Sequence, residues 1–328
     1  MRRGIGWWLA VVLTLAVAVV AGAGCGDDDD DEGGSQAQAV EKVGKGEGQV
    51  DLVAWAGYVE DGSTDPKVDW VTDFEKETGC QVNVKVGNTS DEMVTLMRSG
   101  NYDGVSASGD ATLRLIAGDD VEPVNTDLVP NYKDVFPALK DQPHNTVDGV
   151  NYGIPHGRGA NLLMWNKDEV KPAPTSWSVV FDKDSPYKGK ITAYDNPIYI
   201  ADAALYLKAH NPELGIENVY ELDDKQFDAA VDLLKQQREN IGEYWSDYTK
   251  EQAAFAGGDS VVGTTWQVIA NLLTGDKKPT PVEVVLPEEG STGWSDTWML
   301  AADAKHPNCM YEWMNHIVSP QANAEVAE

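Results

Sequence analysis

From Val50 onward, short apolar runs alternate with amphipathic segments, and that alternation restricts the chain to layered α/β architecture. Val50-Asp51-Leu52-Val53-Ala54-Trp55 reads as a buried strand. Residues 66–78 read as a helix, with Val68, Val71 and Phe74 on one face and Gly79 as its stop. Residues 81–86 alternate at period two, as a strand does. Thr89-Ser90-Asp91-Glu92 has the spacing of a capping box, which opens a helix through Met97 that Gly100 closes. Residues 104–107 form a short strand that turns through Ser108-Gly109-Asp110 into a helix at 111–117. Further strands are expected at 161–165, 190–194 and 261–266, and further helices at 200–210, 225–237 and 268–274. Gly-Ile-Pro-His-Gly-Arg-Gly at 153–159 interrupts the pattern and marks a change of lobe; a return crossing is expected at 290–294.

What precedes Val50 is of another kind. Met1-Arg2-Arg3 is basic, residues 4–24 carry no charge, and small residues lead to Cys25. These are the parts of an export signal over 1–24, with Cys25 placed for lipid attachment. The uncharged run is also about long enough to span a bilayer, so an uncleaved anchor is the alternative. Either reading puts the rest of the chain outside the cytoplasm, in a periplasm or on the outer face of the cell membrane. Residues 25–49 hold Asp27 to Asp31 and little apolar surface, the composition of a disordered linker. They do not form a calcium loop, because Ala39 stands where the closing Glu belongs.

About 280 residues remain, enough for one large or two medium domains. The formal net charge of −29 argues against nucleic acid and favours cationic guests. Cys80 and Cys309 are too few and too distant for a zinc motif; they can pair in an oxidising compartment, but sequence alone does not bring them together.

Catalytic signatures are absent. There is no Gly-x-Ser-x-Gly, His-Glu-x-x-His, phosphate loop or Cys-x-x-Cys, and the five histidines lack metal-ligand spacing. No catalytic residue, metal or cofactor is expected. Aromatics and acids gather instead at strand ends: Trp55 and Tyr58, Asp110, Asn196 and Tyr199, Trp266, and Asp296 between Trp294 and Trp298. In α/β sheets ligands collect beyond the carboxyl ends of strands. Aromatic faces attract cations, and a partly desolvated carboxylate adds a charge-assisted hydrogen bond. Each aromatic also reads as ordinary core, and Asp110 as a helix cap.

At these positions the chain resembles the periplasmic spermidine/putrescine-binding proteins of ABC importers. The matching segments are Leu52-Val53-Ala54-Trp55-x-x-Tyr58, Phe74-Glu75-Lys76-Glu77-Thr78-Gly79, Tyr102-Asp103-x-Val105-x-x-Ser108, Tyr187-Lys188-Gly189-Lys190, Trp266, Pro287-x-Glu289-Gly290 and Trp294-x-Asp296, leading to Ala302-Asp303-Ala304-Lys305 and Ser319-Pro320. The resemblance implies a hinged, two-lobed periplasmic-binding-protein fold of type II-like build, with residues 50–157 and 295–328 in one lobe and 158–294 in the other. It implies a monomeric, lipid-anchored receptor that delivers a small amine, a polyamine such as putrescine or spermidine, to an ABC permease and ATPase complex. It carries Trp55, Tyr58, Ser108, Trp266, Trp294 and Asp296 over as ligand contacts. Where the polyamine binders have carboxylates this chain has Gly57, Asn196 and Tyr199, and where they have an aromatic it has Asp110. The family also continues beyond the position of Glu328, so a further segment is expected there, with a possible partner for Cys309. The alternatives are a receptor for an amino acid, sugar or quaternary ammonium, an exported carboxylate-dependent hydrolase, or an adhesion protein.

Overall fold

Two sheets carry the molecule. In a computed structural model that describes residues 39–63 and 65–327, the first sheet is built from β1 (Gln49–Ala54), β2 (Gln81–Val86), β3 (Gly104–Ser108), β4 (Val121–Glu122), β7 (Ile154–Ala160) and β13 (Gly293–Ala301). A small hairpin, β5 (Thr146–Val147) and β6 (Val150–Asn151), lies beside it. The second sheet holds β8 (Leu162–Asn166), β9 (Ile191–Tyr194), β10 (Ile241–Trp245), β11 (Val262–Thr265) and β12 (Val282–Val285), in the order β10-β9-β11-β8-β12. In each, a parallel set (β2-β1-β3; β10-β9-β11) is flanked by an antiparallel strand, β13 on β3 and β8 on β11. The helices are α1 (Val71–Thr78), α2 (Ser90–Met97), α3 (Gly109–Ala117), α4 (Ser178–Phe181), α5 (Tyr199–His210), α6 (Asp224–Gln237), α7 (Tyr248–Gly257), α8 (Gln267–Gly275), α9 (Pro307–Ile317) and α10 (Pro320–Ala327).

The chain passes between lobes twice, at adjacent points. β7 leads through Asn161 into β8, and β12 returns through 286–292 into β13. The two crossings are paired: Gly293 faces Ala160, and the Asn161 backbone N–H donates to Thr292 O at 3.0 Å. Each lobe has its own core. Val50, Leu52, Phe74, Trp298, Met310 and Trp313 pack on one side of the first sheet, and Phe181, Tyr199, Ala203 and Ile216 pack in the second lobe.

Local chemistry accounts for most element ends. The Thr89 hydroxyl caps α2 by accepting from Glu92 N–H, while Glu92 reaches back to Asn88 N–H rather than to Thr89. Gly79 ends α1 at φ 74°, a region that favours glycine. The helix expected at 66–78 begins only at Val71. Before it the backbone doubles back, with Val68 O accepting from Gly62 N–H and Glu60 O from Trp70 N–H, while the Asp69 carboxylate takes Thr72 N–H. The glycine-rich stretch 153–159 is also not an interruption. It is most of β7, a strand that tolerates glycine because Trp294 and the β13 backbone lie directly against it.

The expected export signal, Cys25 and the aspartate run lie outside the described residues. The linker expected to continue to Gln49 is instead part of the body from Ala39. Val40 and Val43 pack on the first core, and the Glu47 carboxylate accepts from the backbone N–H groups of Asn308 and Cys309. Cys80 and Cys309 form a buried disulfide, with Cα atoms 5.8 Å apart, so Cys309 needs no partner beyond Glu328. Gly46 lies on this bridge; a Cβ there would stand 2.8 Å from the Cys80 sulfur.

Candidate functional site

The carboxyl ends of β1, β3, β9 and β11 point toward the gap between lobes. A cavity of about 1360 Å³ occupies that gap. The first lobe contributes Ser108 and Asp110, the second Tyr194 and Trp266, and the paired crossing strands Arg158 and Trp294. Turn chemistry positions them. Ser108 ends β3, Asp110 sits in the first turn of α3, and Trp266 is the N-cap of α8.

Asp296 does not line this cavity. Antiparallel pairing of β13 with β3 sets it opposite Ser108 and leaves it 1 % exposed, behind the wall. Its two oxygens accept from the Ser108 hydroxyl at 2.6 Å and the Tyr58 hydroxyl at 2.5 Å. Burial pushes its carboxyl up to about 6, against the opposing effect of those hydroxyls, and Asp110 adds repulsion. Burial and the facing carboxylate also push the Tyr58 phenol well up, so Tyr58 stays a donor.

Asp110 does reach the wall, half-buried, and the exposed Glu221 is the other acid there. Burial raises its carboxyl, while Ala111 N–H, the Asn196 side chain and Arg114 favour the ionised form. Asn196, from the second lobe, therefore acts on Asp110 rather than on the cavity, and its own oxygen takes Ile198 N–H. Tyr199 is not at the site. One helical turn carries it into the second core, where it stacks on Phe181 at 5.9 Å and its hydroxyl accepts from Gln237. Proximity in sequence to Asn196 does not survive the rotation of α5.

Tyr194, Trp266 and Trp294 line the cavity, whereas Trp55 and Trp245 do not and pack against Trp266 instead. Trp266 meets Tyr194 at 5.5 Å, Trp245 at 5.0 Å and, across the gap, the edge of Trp55 at 6.2 Å. Trp294 lies on Gly159, where a Cβ would come within 2.4 Å of the indole. His156, in the crossover, packs between Tyr58 and Trp298; burial lowers it to about 4, which keeps it neutral, and neither ring nitrogen has a partner.

Trp266 also touches the crossing. Its indole N–H donates to Asn161 Oδ1 at 3.2 Å, Asn161 Nδ2 donates to the Thr292 hydroxyl at 2.7 Å, and Thr292 donates to buried Asp202. Sequence reasoning missed Asn161, Thr292 and Arg158. Only Gly157 and Gly159 around Arg158 hinted that a long side chain is presented there without neighbours. Burial raises the Asp202 carboxyl to about 7, against the Thr292 bond. The native state then holds this proton more tightly than the unfolded chain, whose Asp titrates near ~3.9. Its contribution to stability is full below that value and fades as pH rises through 7. Asp202→Asn keeps the acceptor for Thr292 and removes the titration. Melting scans should therefore show the variant gaining stability over wild type at pH 8, by about 1–4 kcal/mol, and little at pH 4. A gap between the two proteins that does not change with pH would contradict the assignment.

Asp51, Asp103 and His306 bring one ligand atom each within 4.8 Å of one another. The Asp103 carboxylate is already taken by the backbone N–H groups of Asp51, Lys305 and His306 and by the His306 ring, so the group ties β1 to the start of α9. Glu289, in the Pro287-x-Glu289-Gly290 segment, likewise accepts from Ser176, Trp177 N–H and His210, which fastens the return crossing to the second lobe.

Two α/β lobes joined by a double crossing, with an aromatic and acidic cavity at the sheet ends between them, define a two-lobed binding protein. The chain belongs to the bacterial extracellular solute-binding proteins, whose family model matches residues 69–328. This is the class from which ABC transporters draw their substrate-binding components, and its relatives here are solute-binding proteins rather than enzymes. The spermidine/putrescine-binding periplasmic protein of Escherichia coli (strain K12) is 24% identical over 278 residues, covering 84% of this chain and 74% of its own length. The putrescine-binding periplasmic protein PotF of the same organism is 25% identical over 296 residues, with the same coverage. The crystal structure of the TpPotD lipoprotein of Treponema pallidum matches with a TM-score of 0.70 at 18% identity, over 85% of this chain and 82% of that one, and so shares the fold. Among the described residues no helix is long and apolar enough to cross a membrane.

Proposed function

We propose that this protein captures a small amine between its lobes and delivers it to a membrane permease driven by an ATPase. It works outside the cytoplasm as a monomer, held to the membrane through Cys25 once residues 1–24 are removed. The lobes close about the paired crossings at Asn161 and 286–292. The observation that carries this reading is the Asp110 carboxylate on the wall of the cavity that Tyr194 and Trp266 also line. An ammonium group in that position gains one charge-assisted hydrogen bond and two aromatic faces. Asp296, behind Ser108, deepens the negative potential without touching the guest. Polyamines are the first amines to try, because the curated relatives are named for spermidine and putrescine.

Thermal melts of the purified chain with polyamines, amino acids, sugars and choline-like cations test it. A bound solute raises the melting temperature with the logarithm of its concentration above Kd. Flat curves for every solute would remove the receptor reading. Asp110→Asn should weaken an amine by about 10-fold or more and spare a neutral solute. Equal loss for both would remove the amine.

A further inference from the structure

The cavity also carries a cation, which a site for two ammonium groups would be expected to exclude. Arg158 is the only Lys or Arg on its wall among the described residues. It stands in β7 directly opposite Ser295 of β13, so both side chains project from one face of the strand pair. Glycines flank it on either side, and the Trp294 ring covers Gly159, so no β7 side chain crowds the guanidinium.

Arg158 is left without an acid in a chain that has 54 Asp and Glu against 25 Lys and Arg. Arg98 holds Asp120 and Arg114 holds Asp91, whereas Arg158, like Arg238 away from the cavity, makes no ion pair among the described residues. Glu221 shares the wall without pairing with it. Tyr220 lines the same wall; burial pushes its phenol up, the Arg158 charge opposes that shift, and its oxygen accepts Gly293 N–H at 3.0 Å. The guanidinium fork is thus solvent-facing and uncommitted. A fork of fixed donors suits a carboxylate and repels a second ammonium. The excess negative charge of the protein does not draw anions in, so a positive group at this point acts as local selectivity rather than as general attraction.

Asp110, half-buried, and Arg158 therefore give the cavity an acidic and a basic station, the wall's second acid, Glu221, being exposed. We propose that the preferred guest is a small zwitterion, an ω-amino carboxylate whose ammonium meets Asp110 and whose carboxylate meets Arg158, rather than a diamine. This rests on the amine reading above and narrows it.

Titration calorimetry on the full chain tests the proposal with 4-aminobutyrate, 5-aminopentanoate and 6-aminohexanoate, each set against the diamine of the same carbon count. The best amino carboxylate should bind at least about 10-fold more tightly than its matched diamine. Arg158→Gln should weaken it by about 10- to 100-fold and leave the diamine unchanged or improved. Arg158 is exposed, so the variant should melt with wild type in the absence of solute, which separates a binding loss from misfolding. A diamine that wins in the wild type, or an equal loss of both solutes in Arg158→Gln, would overturn the zwitterion while leaving the amine reading intact. Failure of every amine, with or without a carboxylate, would overturn both.

Discussion

Trp266→Ala should weaken binding of the cognate solute by about 30-fold or more, the scale of a central aromatic anchor. Trp266 is the one cavity aromatic that reaches the other lobe's Trp55, two neighbours in its own lobe, and the crossing through Asn161. Its removal takes away a face for the guest and frees Asn161 at the point where the lobes join. Trp266→Phe separates the two effects, because it keeps a ring and loses the indole N–H. Phe should recover most of the affinity if the face dominates. If Phe is as poor as Ala, the bond to Asn161 matters more than the ring. Calorimetry gives the affinities, and melting curves show whether the second core survives. Full affinity in the Ala variant would mean that the guest binds elsewhere.

Removing the disulfide should produce the largest loss of stability. The bridge joins residues 229 apart in sequence, tying the start of β2 to α9, and both sulfurs are buried. Cross-links closing loops of this length restrict the unfolded chain strongly, and losing a native one costs about 2–5 kcal/mol. For a chain of this size the melting temperature should fall by roughly 5–15 °C. The Cys80→Ala, Cys309→Ala double variant, compared with the oxidised wild type, measures it, and the reduced wild type serves as the control for the side-chain change. Neither cysteine lines the cavity, so solute affinity at 25 °C should stay within about 2-fold. A matching collapse of affinity would show that the first lobe cannot hold its half of the site without the bridge.

Much of the local fold was legible in the sequence. Residues 81–86, the Thr89 cap and the Gly79 stop are short-range features, and each is where its residues demand. The failures are long-range. β7 was masked by its glycines, which are acceptable only because β13, well over a hundred residues later, packs Trp294 on them. The pattern of Trp294, Asp296 and Trp298 suggests one site, yet along β13 only Trp294 reaches the cavity, while Asp296 is covered opposite Ser108 and Trp298 lies in the core of the first lobe. Tyr199 was drawn to the site by its sequence neighbours and removed from it by the turn of α5. The strand-end aromatics were found because their side chains had few other reasons to be there. Arg158 was not, since only the fold reveals that no acid answers it.

The docked segment ahead of β1 has a mechanical consequence. Glu47 grips the first turn of α9 beside the sulfur bridge, and Gly44 N–H bonds the Asn308 side chain. A pull arriving along the polypeptide from upstream of Ala39 would enter the first lobe beside the disulfide, and would reach β8–β12 only through the double crossing and the contacts across the gap, Trp55 with Trp266 and Asp110 with Asn196. Under the anchoring proposed through Cys25, the first lobe would bear most of the load and the lobe that carries Trp266 would be the one left to move.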